Sequence, residues 1–434
     1  MRACTYSPEL SETKLAQGKG NGGSAGRYEL LDMMRALAAV WVMLYHYHWR
    51  TIGEGHDGSW YEKILGHGYW GVAIFFVLSG YCIMASANKA RGERRGVLHF
   101  IIRRMLRIMP PFWLSLVLIG VIPGLLYGLD WMTGNGAGMN YGIWQKFANM
   151  GTVTWVKQLT LTSGIGSGNY MTFQAFPLNE VCWSLAIELQ FYVITGIALL
   201  FGRKYKWVMA GVFVIGLLSV VPSAWLERGL GCMRSADWLI EGTFLPYWSM
   251  FFMGVITFEM VRRGVYLKQM RAAYAADKQG VILLSSAAVM TYGAALWVTR
   301  VNTNVAIAFM TSMLLWGAYG VRLNLGRMNV VKAAMRHVLL FLGKASYAIY
   351  IVHMVVINLA IQLAMLLYPE KGIEQFVLSS LLGLMMCVGF YYLCERPFAK
   401  MASGWNRKKE ASSTQKETVA SIGKIDDAIE RIAA

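Results

Sequence analysis

The stretch YWGVAIFFVLSGYCIMASAN, Tyr69–Asn88, contains no Asp, Glu, Lys or Arg. An α-helix rises 1.5 Å per residue, so this segment reaches across a hydrocarbon core of ~30 Å. Outward from it, similar apolar runs recur along the chain, and ten spans are expected: 30–49, 69–88, 109–129, 178–201, 207–224, 244–261, 279–298, 303–321, 338–366 and 375–394. Composition agrees: 56% of residues are hydrophobic and only 15% charged, where a soluble chain carries about a quarter charged residues. Lipid offers backbone N–H and C=O groups no water, so spanning by helices is expected and the fold class is an all-α transmembrane bundle.

The net charge of +17 would suggest nucleic acid in a soluble protein, but the positions of the charges argue otherwise. With the N-terminus inside, the inner segments hold 31 of the 41 Lys and Arg residues and the outer segments eight. By the positive-inside rule both termini are expected in the cytoplasm, with membrane lipids rather than nucleic acid as the surroundings. The first apolar run carries ionisable residues that a cleavable signal would lack, so no signal peptide is expected. The six cysteines show no CxxC or metal-ligand spacing and read as packing residues, and no metal is expected. Residues 1–28 read as a flexible tail, 29–398 as the membrane domain and 399–434 as a polar cytoplasmic tail. Residues 130–177, rich in Gly, Trp and Tyr, read as an outer segment carrying short interfacial helices.

Ionisable residues inside the spans are costly and mark candidate function. The first span holds Asp32, Arg35, His46 and His48. Arg35 and His46 are eleven residues apart, which is three turns plus ~20°, so they share a face, ~16 Å apart along the axis. An arginine snorkelling to one interface beside a histidine at the other is the competing reading. His48 points elsewhere and reads as interfacial. Arg104 and Arg107 share a face ahead of Pro110 and Pro111, which read as the start of a span. Their guanidinium forks suit a nucleotide's phosphates or, equally, lipid headgroups. Glu188 falls near mid-membrane and requires Arg35, a histidine or a hydrogen-bond donor beside it. Ser346, Tyr347, Tyr350 and His353 lie on one span, and a histidine there alone reads as a packed core residue. Glu395-Arg-Pro-Phe398 reads as an interfacial end, with the proline stopping the helix.

These pieces, in this order, resemble the bacterial acyltransferase family 3 of integral membrane proteins, over roughly residues 28 to 398. The likeness rests on Arg35 with His46; on Ser79-Gly80; on Arg104-x-x-Arg107; on Trp183-Ser184-Leu185 with Glu188, Phe191 and Tyr192; and on Ser346, Tyr347, Tyr350 and His353. It implies O-acylation of a hydroxyl on a surface or exported carbohydrate or glycolipid, such as exopolysaccharide or lipopolysaccharide. The donor would be acetyl-CoA or another acyl-CoA, a co-substrate, with no bound cofactor. It also implies residence in the bacterial inner membrane. His46 would act as general base or acyl relay, with Arg35 and Glu188 positioning the donor and balancing charge, and Arg104 and Arg107 docking its phosphates. Ser79, Trp183, Ser184, Tyr192, Ser346, Tyr350 and His353 would support them.

Two departures bear on this. Many members place a second acidic residue after the glutamate, where this chain has Leu189, so a paired-carboxylate role there is excluded. Some members carry an added extracytoplasmic domain, and this chain reads as a stand-alone member. The competing class is a proton-coupled transporter or flippase in which His46, Glu188 and His353 relay protons; it lacks support from repeat symmetry.

Overall fold

A computed structural model describes residues 25–53, 59–87, 94–133, 148–165, 175–220, 243–263, 303–320 and 330–401. The expected span at 279–298, most of the N-terminal tail and nearly all of the C-terminal tail lie outside the described residues. The described residues are helical, with no strand among them. The helices are α1 (Ala25–Thr51), α2 (Trp60–Leu65), α3 (Gly71–Ala87), α4 (Arg94–Thr133), α5 (Thr152–Leu159), α6 (Cys182–Leu200), α7 (Tyr205–Val220), α8 (Trp248–Arg263), α9 (Thr303–Gly320), α10 (Val330–Lys344), α11 (Ser346–Met365) and α12 (Ile373–Phe390).

Five segments among the described residues are long and apolar enough to cross a membrane: 60–87, 96–125, 182–200, 346–365 and 373–401. Within 130–177 the described residues include one short helix, the eight-residue α5, and Trp113 of α4 donates its indole N–H to the Leu159 carbonyl at its end, 3.0 Å away.

Two helices organise the bundle. α1 packs against α3, α10, α11 and α12, while α3 packs against α8, α9 and α6. The α3–α8 contact is the closest, and glycines make it so. A Cβ on Gly80 would strike the Phe251 carbonyl, and one on Gly254 would strike that of Val77. The small pair Ser79-Gly80 thus brings the two backbones together, as small residues do between membrane helices. An aromatic layer fills the same region: Phe191 stacks on Phe251 with centroids 4.2 Å apart, and Phe76 sets an edge against Phe191 at 5.4 Å.

Four expectations require correction. The span expected over 338–366 is two helices. α10 ends at Lys344, Ala345 leaves helical geometry, and α11 begins at Ser346. α10 is tied to α1 by Arg336, which grips the Glu29 carboxylate through two nitrogens, and by Gly343 lying against the Asp32 backbone.

Pro110 and Pro111 do not start a helix but lie inside α4, which begins at Arg94. Prolines are tolerated inside membrane helices where neighbours satisfy the freed backbone groups. The carbonyls freed by the two prolines are those of Leu106 and Arg107, and beside them the Tyr347 hydroxyl donates to the Ile108 carbonyl at 2.8 Å, joining α11 to α4.

The helix does not stop at Pro397. α12 passes through one π-helical segment, Tyr391–Glu395, and continues to Met401. The wider turn rotates Glu395 inward, where it is fully buried rather than interfacial. His48 is also buried, not interfacial, with its ring edge against Phe376 of α12 at 5.8 Å.

Candidate active site

The site lies where α1, α3, α6 and α11 meet. A cavity of about 60 Å³ is lined by apolar side chains from α3 and α6, chiefly Val72, Phe75, Phe76 and Leu185. Its polar lining is Arg35, Ser79, Ser184, Glu188, Ser346, Tyr347 and Tyr350. Arg35, Glu188, Ser79, Ser184, Ser346 and Tyr350, spread over more than 300 residues of sequence, thus share one wall.

Glu188 is satisfied by hydroxyls. Ser79 Oγ donates to its Oε1 at 2.8 Å and the Tyr192 hydroxyl donates to the same oxygen at 2.6 Å. Ser184 and Tyr350 join their hydroxyls at 2.6 Å, and Ser346 Oγ donates to the Gly343 carbonyl at 2.8 Å. Trp183 stands apart from the cavity, packed on Tyr247 and Phe76 in the aromatic layer.

Beyond Tyr350, the two intramembrane histidines meet. His353 is fully buried, and its Nε2 lies 3.3 Å from His46 Nδ1. The hydrogen-bond partners assign the protons. His353 Nδ1 sits 3.0 Å from the Ile349 carbonyl and 2.8 Å from that of Tyr350. Carbonyls only accept, so this nitrogen carries the hydrogen and Nε2 of the neutral ring is an acceptor. His46 Nδ1 therefore faces two acceptors, His353 Nε2 and the Val42 carbonyl at 2.9 Å, and carries its own hydrogen. That leaves His46 Nε2 with its lone pair, the form a proton acceptor or nucleophile needs. Tyr45 sets its ring against His46 at 4.9 Å and helps hold it. Arg35 and His46 do occupy one face of α1, both turned to α11, with Arg35 at the cavity and His46 further along.

Arg104 and Arg107 diverge in their surroundings. Arg104 is buried; its Nη2 donates to Ser86 Oγ at 2.7 Å and to the Cys82 carbonyl at 3.3 Å, at the end of α3. Its guanidinium also lies over the Phe100 and Tyr192 rings, at 5.8 and 5.5 Å. Arg107 lies within electrostatic reach of Arg104, Arg35 and Glu395. Its Nη2 is buried and has no hydrogen-bond partner.

Glu395 is the residue that sequence reasoning missed. Its Oε2 accepts from the Ala348 N–H at 3.0 Å, capping the first turn of α11, whose residues line the cavity. Its Oε1 is buried without a partner. A carboxylate at a helix N-terminus is favoured by the exposed N–H groups there. The sequence signal was present, an acid preceding Arg-Pro at a helix end, but only the π-helical segment turns it inward. Among the described residues no group of three His, Cys, Asp or Glu side chains is arranged to hold a metal ion.

The chain is similar to several known proteins. It is 27% identical over 204 residues to Nodulation protein 10 of Rhizobium leguminosarum bv. viciae, covering 47% of this chain and 52% of that protein. It is 29% identical over 202 residues to the peptidoglycan O-acetyltransferase OatA of Listeria monocytogenes, covering 44% of this chain and 28% of that one. A putative O-acetyltransferase of Staphylococcus aureus matches at 27% identity over 198 residues, 43% of this chain and 28% of the other. The chain thus spans about half the length of the first relative and little more than a quarter of the other two. No solved structure matches it. The model of a family described as an acyltransferase domain matches residues 28–396, and with its apolar helices and ordered site motifs the chain belongs to this acyltransferase family 3 of multi-pass membrane proteins.

Proposed function

We propose that the protein is a membrane O-acyltransferase that moves an acetyl group from cytoplasmic acetyl-CoA to a hydroxyl of a surface or exported carbohydrate, such as exopolysaccharide or lipopolysaccharide. The observation that carries this reading is the histidine pair. The Val42 carbonyl and His353 Nε2 both accept from His46 Nδ1 and leave His46 Nε2 as a lone pair, one helical turn beyond Tyr350 of a cavity with cationic and hydroxyl-bearing walls.

In this reading the protein spans the bacterial inner membrane ten times with both termini inside, as the Lys and Arg asymmetry supports. The donor's phosphates dock at Arg107 and Arg104. Arg107 offers a buried nitrogen without a partner, while Arg104 holds the end of α3 through Ser86. The acyl arm enters the cavity past Arg35 and Glu188. His46 Nε2 takes the proton of the acceptor hydroxyl as its oxygen attacks the thioester carbonyl. The C–S bond then breaks, and the departing thiolate takes a proton. The same lone pair also serves a two-step route: Nε2 attacks the thioester carbon and expels the CoA thiolate to form an acyl-imidazole, and the acceptor oxygen then displaces the ring, which takes the hydroxyl proton.

Proteoliposomes test the reading. They would contain purified protein, labelled acetyl-CoA, and carbohydrate extracted from the host cell surface and de-acylated. The expected outcome is label in ester linkage on the carbohydrate, with free CoA thiol released in equal amount. Movement of carbohydrate or protons across the bilayer with no ester formed would instead establish the transporter reading.

A further inference from the structure

We propose that the cavity is the acyl-chain pocket and that Phe75 and Val72 limit the transferred chain to acetyl. This rests on the acyltransferase reading above and adds the residues that set the donor's chain length.

The first argument is size. An apolar cavity of ~150 Å³ in a protein core holds a benzene ring, six heavy atoms. At about 60 Å³ this cavity has room for two or three. An acetyl group has three: methyl carbon, carbonyl carbon and oxygen. The cavity is partly open, so each further methylene would have to displace the apolar wall or push the carbonyl back toward the mouth, away from Tyr350.

The second argument is that one wall cannot move. Phe76 is buried and held on three sides, against Trp183 at 6.3 Å, Phe191 at 5.4 Å and Tyr247 at 5.6 Å. Behind it, the glycine contact between α3 and α8 fixes the backbone that carries both phenylalanines. Close-packed interiors of this kind resist enlargement. Phe75 is different. It is partly exposed, and its ring rests edge-on against Tyr350 with centroids 5.4 Å apart. Removing that ring opens the cavity without dismantling the aromatic layer.

The third argument is connection to the chemistry. Tyr350 closes the cavity beside Phe75, and its carbonyl accepts from His353 Nδ1, whose ring touches His46. A chain whose carbonyl end lies at Tyr350 presents that carbon toward the histidine pair. Its methyl group then points among Val72, Phe75 and Leu185. The polar edge of the same cavity, Glu188 with Ser79, lies where the donor's arm would enter.

Purified full-length protein would be given acetyl-, propionyl-, butyryl- and hexanoyl-CoA with the same de-acylated carbohydrate, reading CoA thiol release and ester formation. One methylene in an apolar pocket discriminates by about 10–200-fold. The wild type is therefore expected to lose at least about tenfold in kcat/KM with each added methylene. Phe75→Ala should raise the butyryl-to-acetyl ratio at least about tenfold, and Val72→Ala should raise the propionyl-to-acetyl ratio. A ratio compares two donors on one enzyme, so partial unfolding of a variant does not move it. The milder Phe75→Leu serves if Phe75→Ala does not fold. Wild-type protein using hexanoyl as well as acetyl would overturn the proposal. So would folded Phe75 and Val72 variants that keep the wild-type ratios, and either result leaves acyl transfer itself standing. A wild type that transfers from none of the four thioesters overturns the parent reading and the pocket together.

Discussion

Two groups of buried and half-buried charge show how differently this bundle treats a carboxylate. Near the end of α8, Glu259 is saturated. The Tyr205 hydroxyl donates to it at 2.5 Å, Lys206 pairs with it at 3.1 Å and Arg262 at 2.9 Å. At the centre, Glu395 and Arg107 each keep a buried atom without a partner, Oε1 and Nη2, although they lie within electrostatic reach of each other. Burying a polar atom without a hydrogen bond costs roughly 1–3 kcal/mol. Glu395 caps the turn of α11 that lines the cavity, so a ligand bound there could complete this set, whereas the saturated cluster at Glu259 acts as scaffolding.

Substitutions at the two regions should separate accordingly. His353→Phe fills the buried volume but removes Nε2, so His46 keeps the Val42 carbonyl and loses the second of the two acceptors that orient its ring. Transfer should fall by ~10²-fold, at the low end of what a positioned base contributes, with the donor KM unchanged. Steady-state kinetics would check this, and full activity would return His353 to simple packing.

Arg107→Gln removes one charge-assisted contact, worth roughly 1.5–3 kcal/mol. The donor KM should rise by about 10–100-fold, with thermal stability near that of the wild type. An unchanged KM would assign Arg107 to lipid headgroups instead.

Glu259→Gln should be the mildest. The side chains of Lys206 and Arg262 are more than a third exposed, and such pairs contribute roughly 0–1 kcal/mol. A small drop in melting temperature with transfer unchanged is expected. A large loss of transfer there would erase the distinction between the two regions.

Much of the architecture was readable in the sequence. Runs such as Tyr69–Asn88 announce a membrane helix because length and apolarity alone decide it, and Ser79-Gly80 announced a close helix contact. The shared face of Arg35 and His46 followed from helical period. What stayed hidden depends on packing. No local pattern pairs His46 with His353, which lie 307 residues apart. Glu395 looks interfacial until one π-helical segment rotates it, and the 338–366 run looks continuous although Ala345 interrupts it and α10 packs on α1. The prolines suggested the start of a span, yet arginine favours helix and α4 runs from Arg94 through them.

The central claim is that His46 Nε2 performs the transfer, and one paired measurement tests it most directly. Initial rates of carbohydrate ester formation would be compared for the wild type, His46→Ala and His48→Ala in proteoliposomes, at equal amounts of folded protein. His46→Ala should lose 10²–10⁴ in rate, the range for removal of a general base. His48→Ala loses its packing on Phe376, so it should be less stable yet keep most of its transfer rate. If His46→Ala instead retains more than about a tenth of the wild-type rate, the lone pair at His46 is not the reacting group and the account fails at its centre.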